Sequence, residues 1–196
     1  KSFEIGPGHG YLGALMVLLN YSYFSYDITQ SLYIWQNHLF NLISKKNFNE
    51  SIGRPISEIQ KTNFGHFAWW QMYELLMKNN NLNFDIVYSN SNLSEMTPYA
   101  LKFNLSFIKE KLSRSDVGVF FYFSTGNPSF NSEIGVLNEI LKCGFNLVFD
   151  KPFYCFCLDG NNRTKIKSQF KNGILPSDNN ENNLKVSDFM DMSEKS

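Results

Sequence analysis

Four glycines and a carboxylate lie close together near the start of the chain. Residues 3–13 read FEIGPGHGYLG, so a short apolar segment is followed by closely spaced glycines. Glycine accepts positive φ angles and lets a ligand approach the backbone, so a loop of this kind can surround a bound group with N–H donors. The apolar residues 11–19 predict a helix whose N-terminus points to the same place. The pattern predicts a ligand-binding strand, loop and helix.

A second carboxylate, Asp27, follows the next predicted strand, residues 23–26. It lies nineteen positions after Gly8. An acidic side chain at the end of this strand can accept hydrogen bonds from two ribose hydroxyls in a nucleoside-binding βαβ unit. Asp27 also precedes a predicted helix that starts at Thr29, so it can serve as a helix cap instead.

Two ligand classes are compatible with the glycine loop. Residues 8–13, GHGYLG, satisfy the dinucleotide fingerprint G-x-G-x-x-G, which predicts an NAD(P)-dependent oxidoreductase. Glu4 has no role in that fingerprint, whereas a carboxylate there suits a cationic amino-acid ligand. Residues 4–10, EIGPGHG, resemble motif I of the class I S-adenosylmethionine (AdoMet) methyltransferases, in which an acidic residue stands two positions before the first glycine. The resemblance favours a methyltransferase, and a glycine-rich turn without a ligand is the third reading.

The composition argues against several other classes of function. Lys plus Arg and Asp plus Glu both count 18, and the basic residues are scattered, so nucleic acid is not the expected partner. No unbroken apolar run in the sequence, residues 119–123 included, is long enough to span a membrane. Cys143, Cys155 and Cys157 lack the paired spacing of a zinc site, so we expect no metal and small, reduced core cysteines. A cytoplasmic location is expected.

Predicted strands and helices alternate along the rest of the chain. Only three residues separate the last two predicted strands, which is too short for a parallel crossover, so these strands must be antiparallel. The sequence thus predicts an α/β fold: an open, doubly wound, mostly parallel sheet with a reversed C-terminal hairpin. Such a hairpin is typical of the class I methyltransferase fold and is lacking in dinucleotide-binding folds. The predicted strands after Asp27 are 64–67, 84–90, 116–123, 145–149 and 153–158. The predicted helices after Asp27 are 29–43, 69–78, 98–114 and 133–143. Residues 44–62 are predicted to form a connection.

The length of 196 residues suits one domain. We predict an AdoMet-binding methyltransferase domain over residues 1–159 and a polar, mobile tail over 160–196. Because the chain begins at Lys1 and the first predicted strand follows at once, we also expect that an N-terminal part is missing, and with it part of the acceptor site.

Four segments in a fixed order make the resemblance more specific. They are EIGPGHG at 4–10, Asp27, GHFAWW at 65–70 and SNSNLSEM at 89–96. Together they resemble the sugar O-methyltransferase family over residues 3–125, with Phe67-Ala68 in place of an isoleucine-proline pair and His9 in place of an aromatic residue. The resemblance implies AdoMet as cofactor and a sugar or nucleotide-sugar hydroxyl as acceptor, in polysaccharide biosynthesis. A non-sugar small molecule or a protein stays open as the acceptor, as does a homo-oligomer.

The resemblance also implies roles for individual residues. The methionine part of AdoMet would be held by the acidic residue and the first three glycines, the ribose and adenine by the end of the second strand, and the sulfonium end by the fourth segment. In that order these residues are Glu4, Gly6, Gly8 and Gly10, then Asp27 and Ile28, then Ser89 and Asn90.

Methyl transfer to a sugar hydroxyl calls for a general base. Transfer from a sulfonium is an in-line displacement, so alignment supplies much of the acceleration, and a base near the hydroxyl adds about 10²- to 10⁴-fold. The candidate bases are His9 in the glycine loop, His66 near the paired tryptophans, and Glu95. Trp69 and Trp70 can stack on a sugar ring, but we expect them to serve in packing.

Overall fold

The computed structural model describes residues 1–44, 48–59, 61–77, 82–113, 118–124, 131–150 and 153–170. Within these ranges, helices cover both faces of one sheet. The strands are β1 (Ser2–Ile5), β2 (Tyr23–Asp27), β3 (Asn49–Glu50), β4 (Phe64–Ala68), β5 (Ile86–Asn90), β6 (Val119–Phe123), β7 (Asn146–Phe149) and β8 (Tyr154–Cys157). The helices are α1 (Tyr11–Leu18), α2 (Gln30–Ser44), α3 (Ile56–Ile59), α4 (Trp69–Met77), α5 (Asn92–Glu95), α6 (Pro98–Lys111), α7 (Glu133–Lys142) and α8 (Arg163–Phe170).

The eight strands form one sheet in the order β3-β4-β2-β1-β5-β6-β8-β7. All pairings from β3 to β6 are parallel, whereas β8 pairs antiparallel with both β6 and β7. The predicted α/β sheet with a reversed C-terminal hairpin is confirmed.

The strand order reverses direction between β1 and β5. From β1 the chain moves outward through β2 to β4, and from β5 it moves outward on the other side to β6. In open α/β sheets, such a switch point opens a crevice at the carboxyl ends of the strands, because the helices that follow the two strands lie on opposite faces. The fold therefore locates the candidate site beside the ends of β1 and β5.

Alternate residues of each strand supply the two halves of the core. On one face, Phe3, Phe24 and Phe120 pack in a single cluster with Leu105 of α6 and Ile140 of α7. On the other face, separate smaller clusters form under α2 and under α8. The alternation is the period of two that a sheet buried on both sides requires.

A row of polar side chains crosses the second face between these smaller clusters. Register pairs join Glu50 to His66, His66 to Ser25, Ser25 to Glu4, and Glu4 to Tyr88, so the row runs through five adjacent strands. Glu4, Ser25 and His66 are buried. We call these five residues the transverse row.

Two short elements lie in the segment 44–62 that the sequence predicts as a connection. The strand β3 has two residues and α3 has four, so neither is long enough to show a period in the sequence. Long-range contacts hold β3, because the Asn37 side chain donates to Glu50 at 2.8 Å and the Ser51 N–H donates to the carbonyl of His66 at 3.0 Å. The helix α3 is held by Ile56 and Ile59, which are part of the core.

Helical structure also continues past residue 159, where the sequence predicts the end of the domain. A 3-10 turn at Gly160–Asn162 leads into α8, whose Ile166 is buried. The ring of Phe170 packs edge-on against Phe121 at 5.8 Å. The packed part of the chain thus reaches Phe170, and the rest of the predicted tail, 171–196, lies outside the described residues.

A glycine allows α1 to lie close against β2. A Cβ built at Gly13 would stand 2.6 Å from the ring of Tyr23 and 2.9 Å from that of Phe40. Both rings are fully buried, so neither can move aside without disturbing the core.

We expect Gly13→Ala to destabilise the fold by about 1–3 kcal/mol, because the new methyl group overpacks this contact. Urea denaturation monitored by circular dichroism measures the change. The matched control is Gly135→Ala in α7, where a Cβ would meet only the Ser132 hydroxyl at 3.2 Å and alanine favours the helix. Equal stability of Gly13→Ala and the unsubstituted protein would contradict the close contact.

Candidate functional site

A cleft of about 380 Å³ opens at the carboxyl ends of β1, β2 and β5. Gly6 and Gly8 line it from the loop after β1, residues 26–29 from the end of β2, and Asn90 from the end of β5. The volume falls within the usual range of about 300–1,000 Å³ for small-molecule sites. The cleft lies at the switch point of the sheet, as the strand order requires.

The loop after β1 lies too close to the segment after β5 to leave room for a side chain at position 6. Gly6 has a φ of +64°, and a Cβ there would stand 1.7 Å from Nδ2 of Asn92. That Nδ2 donates to the carbonyl of Ile5 at 2.8 Å, while Oδ1 of Asn92 accepts from the Ser89 hydroxyl at 2.8 Å. Asn92 therefore ties the end of β1 to the end of β5 at the floor of the cleft.

Helix α2 holds the other side of the same loop. Nε2 of Gln36 donates to the carbonyl of Gly8 at 2.5 Å and to Oδ2 of Asp27 at 3.0 Å. The indole N–H of Trp35 donates to the carbonyl of His9 at 3.2 Å. Because Gln36 is fully buried, its side chain fixes the distance between the glycine loop and the Asp27 carboxylate.

Asp27 combines a turn contact with a place in the cleft wall. Its Oδ1 accepts from the Thr29 N–H at 2.8 Å, at the entrance to α2. An ionised carboxylate has about four acceptor positions, so this contact and the one to Gln36 leave capacity for further donors. The capping and ligand-binding interpretations of Asp27 are thus compatible.

The cleft is acidic. Asp27 and Glu95 both line it, and none of the described residues in its wall is Lys or Arg. Low dielectric around a partly enclosed site strengthens the attraction of such carboxylates for a positive charge. The arrangement suits a ligand that carries a cationic group.

Glu4 lies behind the glycine loop and not in the cleft wall. It is 4% exposed, and the hydroxyl of Tyr23 donates to its carboxylate. Burial raises the pKa of Glu4 to about 7, the hydrogen bond from Tyr23 opposes that shift, and the nearby Asp27 charge adds to it. Glu4 is thus a buried residue behind the loop, and its role in holding the methionine part of AdoMet stays a prediction.

The other predicted binding residues divide into two groups. Gly6, Gly8, Ile28 and Asn90 line the cleft together with Asp27. Gly10 and Ser89 do not line it, because Gly10 packs near Gln36 and Phe40 and the buried Ser89 supports Asn92.

Of the three candidate bases, only Glu95 is part of the cleft wall, where it is exposed. His9 lies in the glycine loop, but its exposed ring stacks against Tyr11 at 5.8 Å. His66 is in the middle of β4, not at its end, and is fully buried, with Nδ1 2.8 Å from Oδ1 of Asn37. Burial lowers the pKa of His66 to about 3, so it stays neutral and takes no proton from an acceptor near pH 7.

The paired tryptophans are not core residues of the described part of the chain. Trp69 and Trp70 are 55% and 53% exposed and meet edge to face, with ring centroids 6.0 Å apart. They begin α4 directly after Ala68, which is the register partner of Asp27. The pair therefore lies at the same edge of the sheet as the cleft.

Several contributors to the site are not identified from the sequence. Asn92 lies inside the segment SNSNLSEM, so its neighbourhood is predicted but its own role is not. Gln36 sits in the middle of a helix, and a polar residue on the buried face of α2 is the only signal that points to it. Asn104 contacts two residues of the cleft wall, Tyr26 and Met96. Its side chain accepts a hydrogen bond from the Tyr26 hydroxyl and lies 3.3 Å from the Met96 sulfur.

The described residues show two further features that bear on function. None of their helices is long and apolar enough to cross a membrane, and no three His, Cys, Asp or Glu side chains among them are grouped to hold a metal. Cys155 and Cys157 are buried, and burial raises the pKa of both thiols, so they are the small core residues that the sequence predicts.

Solved structures share this fold at low sequence identity. A TehB-like SAM-dependent methyltransferase from Corynebacterium glutamicum aligns with a TM-score of 0.54 and 13% identity over 80% of this chain and 78% of that chain. The glycopeptide N-methyltransferase MtfA complexed with S-adenosyl-L-homocysteine gives 0.54 and 10% over 81% of each chain. The [4+2]-cyclase SpnF gives 0.50 and 11% over 74% of this chain and 52% of that chain. No protein-family model and no curated protein matches the sequence. These likenesses establish the class I methyltransferase fold.

We expect Gln36→Ala to destabilise the protein by about 1–3 kcal/mol, because it removes a donor to the Asp27 carboxylate and one to the Gly8 carbonyl. Urea denaturation measures the loss, and hydrogen exchange should quicken in the peptide that covers the glycine loop. His38→Ala, at an exposed position on the same helix, is the control. Unchanged exchange in the loop would show that Gln36 does not hold it.

Proposed function

We propose that this chain is an AdoMet-dependent O-methyltransferase whose acceptor is a hydroxyl of a sugar or nucleotide-sugar. The observation that carries the proposal is the acidic cleft at the switch point, with the glycine loop on one side and Asp27 on the other. AdoMet has a ribose for Asp27, an adenine that can lie against Ile28, and a methionine part for the loop after β1. Its sulfonium is the cationic group that the negative wall favours.

The reversed hairpin argues against a dinucleotide-dependent oxidoreductase. That alternative requires a parallel last strand, whereas β8 runs antiparallel to β6 and β7. A dinucleotide also brings a doubly charged pyrophosphate, which the carboxylates of Asp27 and Glu95 would repel. Gly13, the last glycine of the fingerprint, needs no dinucleotide to explain it, because it serves the contact of α1 with β2.

The acceptor is proposed from the family resemblance and from the exposed tryptophans. Trp69 and Trp70 offer apolar ring faces beside the sheet edge, and such faces stack on the C–H side of sugar rings. Glu95, exposed in the cleft wall, is the residue that we propose as general base. The His9 imidazole is the second candidate, since it lies in the loop that borders the cleft.

Calorimetry tests the cofactor. We expect AdoMet and S-adenosylhomocysteine to bind the chain and NAD not to bind. Asp27→Ala should weaken AdoMet binding roughly 10- to 100-fold, because hydrogen bonds to a charged group each contribute about 1.5–3 kcal/mol.

The matched control is Glu58→Ala, at an exposed acidic position on α3, which should bind as the unsubstituted protein does. Circular dichroism must show that Asp27→Ala is folded, since Asp27 also bonds Thr29 and Gln36. Preference for NAD, or unchanged AdoMet affinity in a folded Asp27→Ala, would overturn the assignment.

Methyl transfer tests the reaction and its base. With AdoMet carrying a labelled methyl group, a panel of sugars, nucleotide-sugars and non-sugar alcohols should give labelled product from the first two classes. Glu95→Gln should lower kcat by about 10²- to 10⁴-fold, far more than it weakens AdoMet binding. The parallel variant His9→Gln should lower it far less.

The reverse order of effects would make His9 the base. A fold of this class does not guarantee methyl transfer, since the structural neighbour SpnF is a [4+2]-cyclase. AdoMet binding without labelled product from any acceptor would therefore favour a protein that keeps the fold for another purpose.

A further inference from the structure

The carboxyl group of Glu4 is buried under the candidate cofactor cleft, and no cation among the described residues lies beside it. It lies two residues before Gly6, which lines the cleft, and its one hydrogen-bond partner recorded in the described part of the chain is the hydroxyl of Tyr23. The glycine loop therefore stands between the carboxyl group and the space a ligand would occupy.

The elements packed around Glu4 supply no positive charge. Strand β2 contributes Tyr23 and Asp27, and β5 contributes Tyr88. Helix α1 contains no Asp, Glu, Lys, Arg or His, and α2 contains His38 at an exposed position and no Asp, Glu, Lys or Arg. A carboxylate in this place thus faces one negative neighbour, Asp27, and pays for its desolvation with a single hydrogen bond.

Both AdoMet and S-adenosylhomocysteine carry the same amino-acid part with its ammonium and carboxylate, so a ligand changes this balance most when it adds a further, net positive charge. The methyl donor and its demethylated product share the adenosine and the amino-acid part, and they differ in that the donor has a sulfonium and the product a neutral thioether. A sulfonium in the cleft attracts a carboxylate behind the loop and so favours its ionised form. The product keeps the ammonium but lacks the sulfonium charge, so it favours the ionised form of Glu4 less.

Given the proposed cofactor, we propose that Glu4 is a specificity-determining residue that loses its proton when AdoMet binds and thereby favours AdoMet over S-adenosylhomocysteine. Glu4 acts through the field behind the loop and not by contact. The raised pKa of about 7 supports the proposal, because the group then changes its proton occupancy near neutral pH.

The sign of the pH dependence follows from this linkage. Above pH 7 Glu4 is already ionised, and AdoMet affinity is at its maximum. As the pH falls below 7, binding must first remove a proton, so AdoMet affinity falls by up to about tenfold per pH unit. S-adenosylhomocysteine affinity stays nearly constant over the same range. The preference for AdoMet over its product therefore grows as the pH rises.

Calorimetry with both ligands between pH 5.5 and 7.5 tests the proposal. Each titration is repeated in two buffers with different ionisation enthalpies, so that the number of protons released on binding can be measured. For the unsubstituted chain at pH 7 we expect release of roughly half a proton per AdoMet bound and far less per S-adenosylhomocysteine. The α-amino group of each ligand titrates only near pH 8. Measurements between pH 5.5 and 7.5 therefore separate the proton of Glu4 from that of the ligand.

Two variants make the test specific. Glu4→Gln mimics the protonated form and can still accept from Tyr23, so it should abolish the proton release and leave a pH-independent, reduced preference for AdoMet. Tyr23→Phe removes the hydrogen bond that stabilises the carboxylate, so the midpoint of the AdoMet pH profile should move upward. Glu58→Gln, at an exposed position, is the control.

The stability of the ligand-free chain gives a readout independent of binding. A carboxyl group whose pKa is raised from 4.5 to about 7 favours the folded state below pH 4.5 and loses that contribution as the pH rises to 7. The urea midpoint should therefore fall between pH 5 and 7 more steeply in the unsubstituted chain than in Glu4→Gln.

The outcomes separate the two proposals. If the unsubstituted chain fails to bind either ligand, the proposed function fails, and the inference fails with it. If AdoMet binds but the ratio of the two affinities is the same in Glu4→Gln, or if no proton is released, the role of Glu4 is overturned while the cofactor assignment stands.

Discussion

The rest of the site depends on the close approach between Gly6 and Asn92. At the switch point β1 and β5 send their following helices to opposite faces, and the carbonyl of Ile5 is left at the strand end. The Asn92 carboxamide reaches that carbonyl through the space that a Cβ on residue 6 would fill. This contact closes the floor of the cleft, so the loop above it can turn outward and present its backbone to a ligand. Without it, the two strands would part where the ligand must be held.

A second constraint arises from the transverse row. A sheet covered on both faces normally carries apolar residues throughout, yet five register neighbours here are polar or ionisable. Nδ1 of His66 bonds to Asn37, and the Glu4 carboxyl accepts from Tyr23. Burial keeps the imidazole neutral near pH 7 and raises the pKa of the carboxyl to about 7. The row thus places ionisable groups on a buried face of the sheet, with Glu4 directly behind the glycine loop.

The sequence predicts the sheet and the binding loop because both leave local signals. Glycines at fixed spacing, a carboxylate after the second strand and a three-residue gap before the last strand each have a direct structural meaning. The sequence does not predict β3, α3 or α8, since these short or polar elements are stabilised by contacts with distant residues. For the same reason the sequence assigns His66 to the site, although neighbouring aromatic rings bury this side chain. The sequence also does not identify Gln36, because its partners Gly8 and Asp27 are distant along the chain.

The Gln36 bridge has a consequence for the kinetics of ligand capture. One buried side chain holds both the loop and the carboxylate on the opposite wall, so the two halves of the binding surface are already at their working separation before anything enters. Little conformational entropy then remains to be lost on association, and the encounter does not have to wait for a loop to order. Ligand capture by such a rigid frame is limited by diffusion into the open mouth, and the lifetime of the complex is set by the strength of the contacts inside.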